Sequence, residues 1–209
     1  MGRYTGPACK RCRREGMRLF LKGARCSMSK CPIETGRPAP GMHGQRRGRK
    51  MSDYGIQLRE KQRLRRQYGL QEKQFHLFFE RVSHQRGVTG ELFLKALESR
   101  LDNIVYRLGL APSRRAARQF VTHGHVTVND KVASIPSMII SAGSIIGVKE
   151  KASSKAQAAA CLEAAEGREM PSWMTMDVKT MKGEFVRVPT REEIAPTVDE
   201  QLVVELYSK

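Results

Sequence analysis

Positive charge is crowded into the front of this chain. Residues 1–70 carry 19 lysines and arginines against 4 acids, whereas residues 161–209 carry 6 against 10. The 209-residue chain as a whole has a net charge of +17. Like charges at that density oppose compaction unless an anionic partner takes them up. Such asymmetry points to nucleic acid or to an anionic membrane. No stretch approaches the 18 or so apolar residues that a spanning helix needs. The opening Met1-Gly2-Arg3-Tyr4 has no apolar run of the secretory kind, and Gly6 stands where a myristoylation motif requires Ser or Thr. Nucleic acid is therefore the expected partner, without a membrane.

The second constraint lies inside the basic segment. Cys9-x2-Cys12 and Cys26-x4-Cys31 form two short cysteine loops, the arrangement that delivers four thiolates to a tetrahedral ion. Lys10, Arg11, Arg13 and Arg25 flank them and favour the thiolate form. A closed four-Cys shell is structural, because it leaves no position for a reactive water. In a segment with so little apolar material the ion would supply folding energy directly. Zinc is the expected metal, and a four-Cys iron–sulfur cluster is the alternative that spacing leaves open. The fifth cysteine, Cys161, is distant in sequence and reads as a small buried hydrophobe.

Along the chain, residues 1–51 show no sustained period and read as irregular, with 36–50 an arm of turn formers and cations. Ser52 caps a predicted helix over Tyr54–Tyr68, on which Arg59, Arg63 and Arg66 share a face. Phe75, Phe78, Phe79 and Val82 follow the spacing of a core-facing helix, and a further helix is predicted over Thr89–Leu108. Ser113 caps a short helix with Ala117, Phe120 and Val121 inside and Arg114, Arg115 and Arg118 outside. Strands are predicted around Val126–Val128, Met138–Ile140 and Ile145–Val148, with a tight turn at Asn129-Asp130. Residues 152–170 read as helical, Trp173–Val188 as short strands, and the run 200–207 as a final strand.

Phosphate loops, dinucleotide fingerprints, nucleophile elbows and metalloprotease helices are absent from the sequence, so no enzymatic activity is expected. An RNA-modifying enzyme would need a catalytic domain for which the 58 residues after position 151 offer no motif. A helix–turn–helix DNA binder could use residues 113–124, but such proteins read palindromes as dimers, and no dimerising element is visible.

Several stretches together resemble one family, small-subunit ribosomal protein number four in its bacterial or organellar form. They are Gly2-Arg3-Tyr4, Pro40-Gly41-Met42-His43-Gly44, Ser52-Asp53-Tyr54-Gly55, Leu58-Arg59-Glu60-Lys61-Gln62, Glu98-Ser99-Arg100-Leu101-Asp102-Asn103, Ser113 through Gln119, His123 through Asn129, and Glu205-Leu206-Tyr207-Ser208-Lys209. The cysteines match the metal-binding branch of that family. The resemblance implies an α+β, mostly helical fold. It comprises a metal-bound arm (1–51), a helical body (52–97 with 153–209) and an inserted helix–loop–helix and β-sheet RNA-binding domain (98–152). It also implies direct binding to the 5′ domain of small-subunit rRNA, nucleation of subunit assembly and a part in translational accuracy. Implied neighbours are other small-subunit proteins, especially the fifth, and messenger RNA where it enters the subunit. The implied place is the ribosome, in the cytoplasm or an organelle. The family usually has Asn-Gly at the turn where Asp130 stands here.

Charge and resemblance together give the candidate rRNA contacts. They are Arg3, Lys10, Arg13, Arg14, Lys22, His43, Arg46, Arg47, Arg49, Lys50, Arg59, Lys61, Arg63, Arg66, Arg100, Arg114, Arg115, Arg118 and His123, with Cys9, Cys12, Cys26 and Cys31 as metal ligands. Folded RNA offers mainly phosphates and 2′-hydroxyls to such residues.

Overall fold

A computed structural model describes residues 4–44, 50–165, 167, 169–194 and 198–208. The chain divides into two compact units, Met1–Phe93 with Pro196–Lys209, and Leu94–Ala195.

In the first unit, α1 (Ala8–Glu15) starts after Pro7 and stops at Gly16, whose φ of +70° is the left-handed helix end that glycine adopts freely. A 3-10 turn follows over Gly23–Cys26. The segment 1–51 is thus less irregular than its sequence suggests. Its helix escapes a hydrophobicity reading because the inward side chains are Cys12 and Glu15. α2 (Asp53–Gln67) begins where expected, with the Ser52 hydroxyl accepting from Gly55 N–H at 3.3 Å. Its buried residues are Gln57, Glu60, Lys61 and Leu64, so polar pairing rather than oily packing seats it. α3 (Glu72–Ser83) buries Phe75, Phe79 and Val82 as its period predicts, and Phe75 meets Phe93 edge-on with ring centres 5.0 Å apart.

α4 (Thr89–Glu98) and α5 (Leu101–Arg107) replace the single helix expected over 89–108. Arg100 is extended at the break, and the Asn103 amide donates to the Glu98 carbonyl at 3.1 Å, satisfying a helix-end acceptor. Residues 138–140, expected in a strand, dock on this corner instead. Leu101 N–H donates to Met138 O at 2.8 Å and Ile140 N–H to Ser99 O at 2.9 Å.

α6 (Arg114–Thr122) is capped by Ser113, which accepts from Ala116 N–H at 3.3 Å. β1 (Val126–Val128), β2 (Lys131–Ala133) and β3 (Ser144–Val148) precede α7 (Ala152–Glu163), and β4 (Met174–Asp177) and β5 (Lys182–Phe185) come after it. The five strands form one antiparallel sheet in the order β2-β1-β3-β5-β4. β4, β5 and α7, expected with the helical body, therefore share the sheet and core of the second unit. The core joins Leu101, Ile104 and Leu108 to Phe120, Val126, Ile146, Trp173 and Phe185. α8 (Arg191–Ile194) is a single turn.

The closing run forms α9 (Glu200–Tyr207), a helix rather than the expected strand. Asp199 caps it by accepting from Gln201 N–H at 2.9 Å. The ring of Tyr207 lies 4.8 Å from that of Phe79, and Gln57 of α2 donates to Glu205 at 2.9 Å. Packing overrides the β preference of Val203 and Val204.

Two positions in the second unit lend themselves to test. A Cβ on Gly183 would lie 2.7 Å from Leu108 Cδ2 and 3.1 Å from the Thr175 carbonyl, so Gly183→Ala overpacks the core. We expect a loss of about 1–3 kcal/mol in urea unfolding followed by fluorescence of Trp173, which is 4% exposed. At the β1–β2 turn, Asn129 and Asp130 both have positive φ, at 48° and 62°. Asp130→Gly relieves that strain and loses only an exposed pair with Lys182, so the same assay should show a gain of about 0.5–1 kcal/mol.

Candidate nucleic-acid interface

In the first unit the basic face of α2 is organised around one acid. Glu15, 5% exposed, receives Arg59 Nη1 at 3.4 Å, pairs with Arg66, and lies 3.9 Å from Arg63 Nε. Arg63 also donates to the Glu15 backbone carbonyl at 3.3 Å and pairs with Glu60. The three arginines expected to share a face do share one, and they converge on α1. Lys61 is buried and pairs with Glu72, which also accepts from the Tyr207 hydroxyl at 3.1 Å. These contacts hold the Glu72 carboxyl below its ordinary range although burial alone would raise it. Burial beside that acid pushes the Tyr207 phenol well above its usual value.

Elsewhere in this unit Lys10, Arg14, Lys22, His43 and Lys50 are exposed, and Arg13 is half-buried, donating to Pro38 O at 3.2 Å. Lys10 and Arg13 line an open cleft of about 570 Å³ with residues 38–42 and 44. The tight path of this loop requires Gly44, because a Cβ there would lie 1.8 Å from the Ala39 carbonyl oxygen. Arg11 stacks on the Tyr4 ring at 3.6 Å, and burial is the main cause of its lowered pKa. Arg3, Arg46, Arg47 and Arg49 lie outside the described residues.

The second unit repeats the pattern at the α4–α5 corner. Arg100, 4% exposed, donates twice to Asp102, at 3.1 and 2.8 Å, so its fork is turned inward. Arg118 of α6 reaches the same carboxylate at 3.1 Å. Glu98, fully buried, accepts from Arg107 at 3.0 and 2.8 Å and from Asn103 at 2.7 Å. Arg114 donates to Asn103 Oδ1 at 2.8 Å, lies 3.9 Å from Glu98, and covers the Tyr106 ring at 4.7 Å. Arg115 and His123 are exposed. His125 pairs with the buried Ser154 hydroxyl at 2.9 Å, and burial leads the lowering of its pKa.

Sequence reasoning found the arginines and missed the acids that hold them. Glu15 had a visible signal, being the lone acid among Arg11, Arg13, Arg14 and Arg18. Glu98, Asp102 and Asn103 had none beyond the resemblance, since spacing does not show which helix meets which.

The cysteine segment gives a mixed fit to a metal. Cys12, Cys26 and Cys31 are buried, Cys9 is half-buried, and no disulfide joins them. Lys22 N–H donates to Cys26 Sγ at 3.3 Å. Burial pushes the Cys12 thiol up, and Cys26, Cys9 and Cys31 are near enough to add to the shift, as Leu19 N–H opposes it. The donors are soft and mutually close. Even so, among the described residues no group of three or more His, Cys, Asp or Glu gathers tightly enough to hold an ion. The described helices include none long and apolar enough to cross a membrane.

Comparison with known proteins gives a consistent result. Residues 3–98 match the family described as Ribosomal protein S4/S9 N-terminal domain, and residues 99–146 match the S4 domain. The chain is 53% identical to small ribosomal subunit protein uS4 of Thermus thermophilus and 54% identical to that of Acidithiobacillus ferrooxidans. It is 52% identical to the uS4 of Acetivibrio thermocellus. Each alignment covers 100% of both chains. All three relatives are bacterial proteins, which supports the bacterial type. Full-length identity at this level, over a fold with the family's two matched parts in order, makes this chain a member of the small ribosomal subunit protein uS4 family.

Proposed function

We propose that this protein is a structural constituent of the small ribosomal subunit that binds its rRNA directly. The observation that carries the reading is the α4–α6 corner, where Arg100, Arg107, Arg114 and Arg118 converge on Glu98 and Asp102. These six residues carry two more positive charges than negative, held in fixed positions beside the exposed Arg115. Fixed cations favour a phosphate backbone of defined shape over a disordered polyanion. In the first unit Lys10, Arg14, Lys22, His43 and Lys50 would extend the contact, with Arg3, Arg46, Arg47 and Arg49 of the same basic segment. The partly exposed edges of Arg59, Arg63 and Arg66 would add a second patch. Arg100 and Lys61 act from within as buried counter-charges.

The family membership supports a finer reading. The RNA target is the 5′ domain of small-subunit rRNA, bound early enough to nucleate assembly of the subunit body. The neighbours are other small-subunit proteins, the fifth among them, near where messenger RNA enters, which gives the protein its part in translational accuracy. A footprint on protein-free small-subunit rRNA tests this. Protection concentrated in the 5′ domain is expected, and protection scattered evenly over the molecule would overturn the assignment. Arg115→Gln should flatten the log–log salt dependence of binding by about 0.7–0.9, the contribution of one phosphate. An unchanged slope would remove Arg115 from the interface.

For the cysteine segment we propose structural zinc on Cys9, Cys12, Cys26 and Cys31. The support is the donor set, four free thiols of one segment, three of them buried, with the Lys22 backbone N–H donating to Cys26. Bound zinc would hold the thiols as thiolates and tie α1 to the turn at residues 23–26. Metal analysis of purified protein should find zinc, and Cys26→Ser should lose it. Full metal retention by that variant contradicts a four-Cys site, and brown colour in the unsubstituted protein would mean iron–sulfur.

A further inference from the structure

Arg114 and Arg118 lie one turn apart on α6, a rise of roughly 6 Å along the helix. Two consecutive residues of α5 hold them. Asp102 takes Arg118 at 3.1 Å, and Asn103 takes Arg114 Nε at 2.8 Å. Both holders are buried, at 5% and 1% exposure, and both are themselves fixed. The Asp102 carboxylate is gripped by the Arg100 fork, and the Asn103 amide donates to the Glu98 carboxylate at 2.7 Å and to its carbonyl at 3.1 Å. Neither long side chain of α6 can therefore move independently of the α4–α5 corner. The Arg118 side chain remains 24% exposed and the Arg114 side chain 10%.

We propose that Asp102 and Asn103 are positioning residues for RNA recognition, presetting Arg118 and Arg114 as a rigid pair for adjacent phosphates of the rRNA. The inference rests on the rRNA-binding reading above and adds how that site discriminates. An arginine already fixed loses little freedom on meeting its phosphate, whereas a loose one binds any polyanion about equally well. Removing a holder should then leave non-specific binding intact and reduce only the preference for rRNA.

The test compares full-length variants for affinity to the 5′ domain of small-subunit rRNA and to a homopolymer RNA, across a salt series. Asn103→Ala changes no charge. It should lower the rRNA-to-homopolymer ratio about tenfold with the salt slope for homopolymer unchanged. Asp102→Asn should do the same, and its effect should vanish in an Arg118→Gln background, because it acts through that arginine. Asp102→Glu, which keeps the carboxylate, should restore part of the ratio.

Asp102→Asn leaves Arg100 without its carboxylate and is the variant at risk of unfolding. Asn103→Ala and its cycle with Arg114→Gln then decide the matter alone. A ratio equal to wild type in folded Asn103→Ala overturns the proposal, as does an additive loss in the double variants. Failure of the unsubstituted protein to prefer rRNA would instead overturn the function on which the proposal stands.

Discussion

A carboxylate stripped of water is stable only when cations replace the lost hydration, and Glu15, Glu98 and Asp102 organise this protein by that rule. Glu15, Glu98 and Asp102 are buried, and each draws arginines from other elements onto itself. Glu15 binds α1 to α2 in a segment that has little apolar surface to bury. Glu98 and Asp102 fix the corner on which α6 rests. Removing an acid from such a group costs several kcal/mol, roughly 3–5 by the usual measure, because the arginines are left facing one another. The positive charge that seemed to need an external partner throughout is thus partly answered from inside.

That internal answer changes how the electrostatics of binding should be understood. A chain with a net charge of +17 will attract any nucleic acid at low salt. Affinity of that kind carries no information about shape. What distinguishes one folded RNA from another is whether its phosphates coincide with cations that cannot rearrange. Here Arg59, Arg63 and Arg66 of α2 and Arg118 of α6 are held by buried acids and Arg114 by Asn103, while Lys10, Arg14, Lys22, Lys50 and Arg115 are exposed on the surface. The anchored set suits register, and the exposed set suits attraction.

Much of this was legible in the sequence, and the failures share a cause. The Ser52 and Ser113 caps, the Phe75–Val82 face and the 129–130 turn depend on neighbours within a few residues, and the structure has them as read. The elements misread depend on distant partners. Residues 200–207 are β-prone alone and helical against Phe79 and Gln57. Residues 138–140 alternate like a strand but pair with a helix break. α1 was missed because its buried side chains are a cysteine and a glutamate, which no hydrophobic period records. Among the candidate contacts, exposure cannot be read from charge, and so Arg100 and Lys61, both buried, read as surface residues.

The strand order has a consequence for synthesis. β3 pairs on one side with β1, which leaves the ribosome before it, and on the other with β5, which follows only after α7 and β4. A nascent chain that has just released β3 therefore holds a half-finished sheet with an open edge. Open edges invite mispairing with other chains. For this protein the interval in which β3 lacks its second neighbour ends when residues 182–185 emerge, so the wait is set by the pace of translation across residues 149–181.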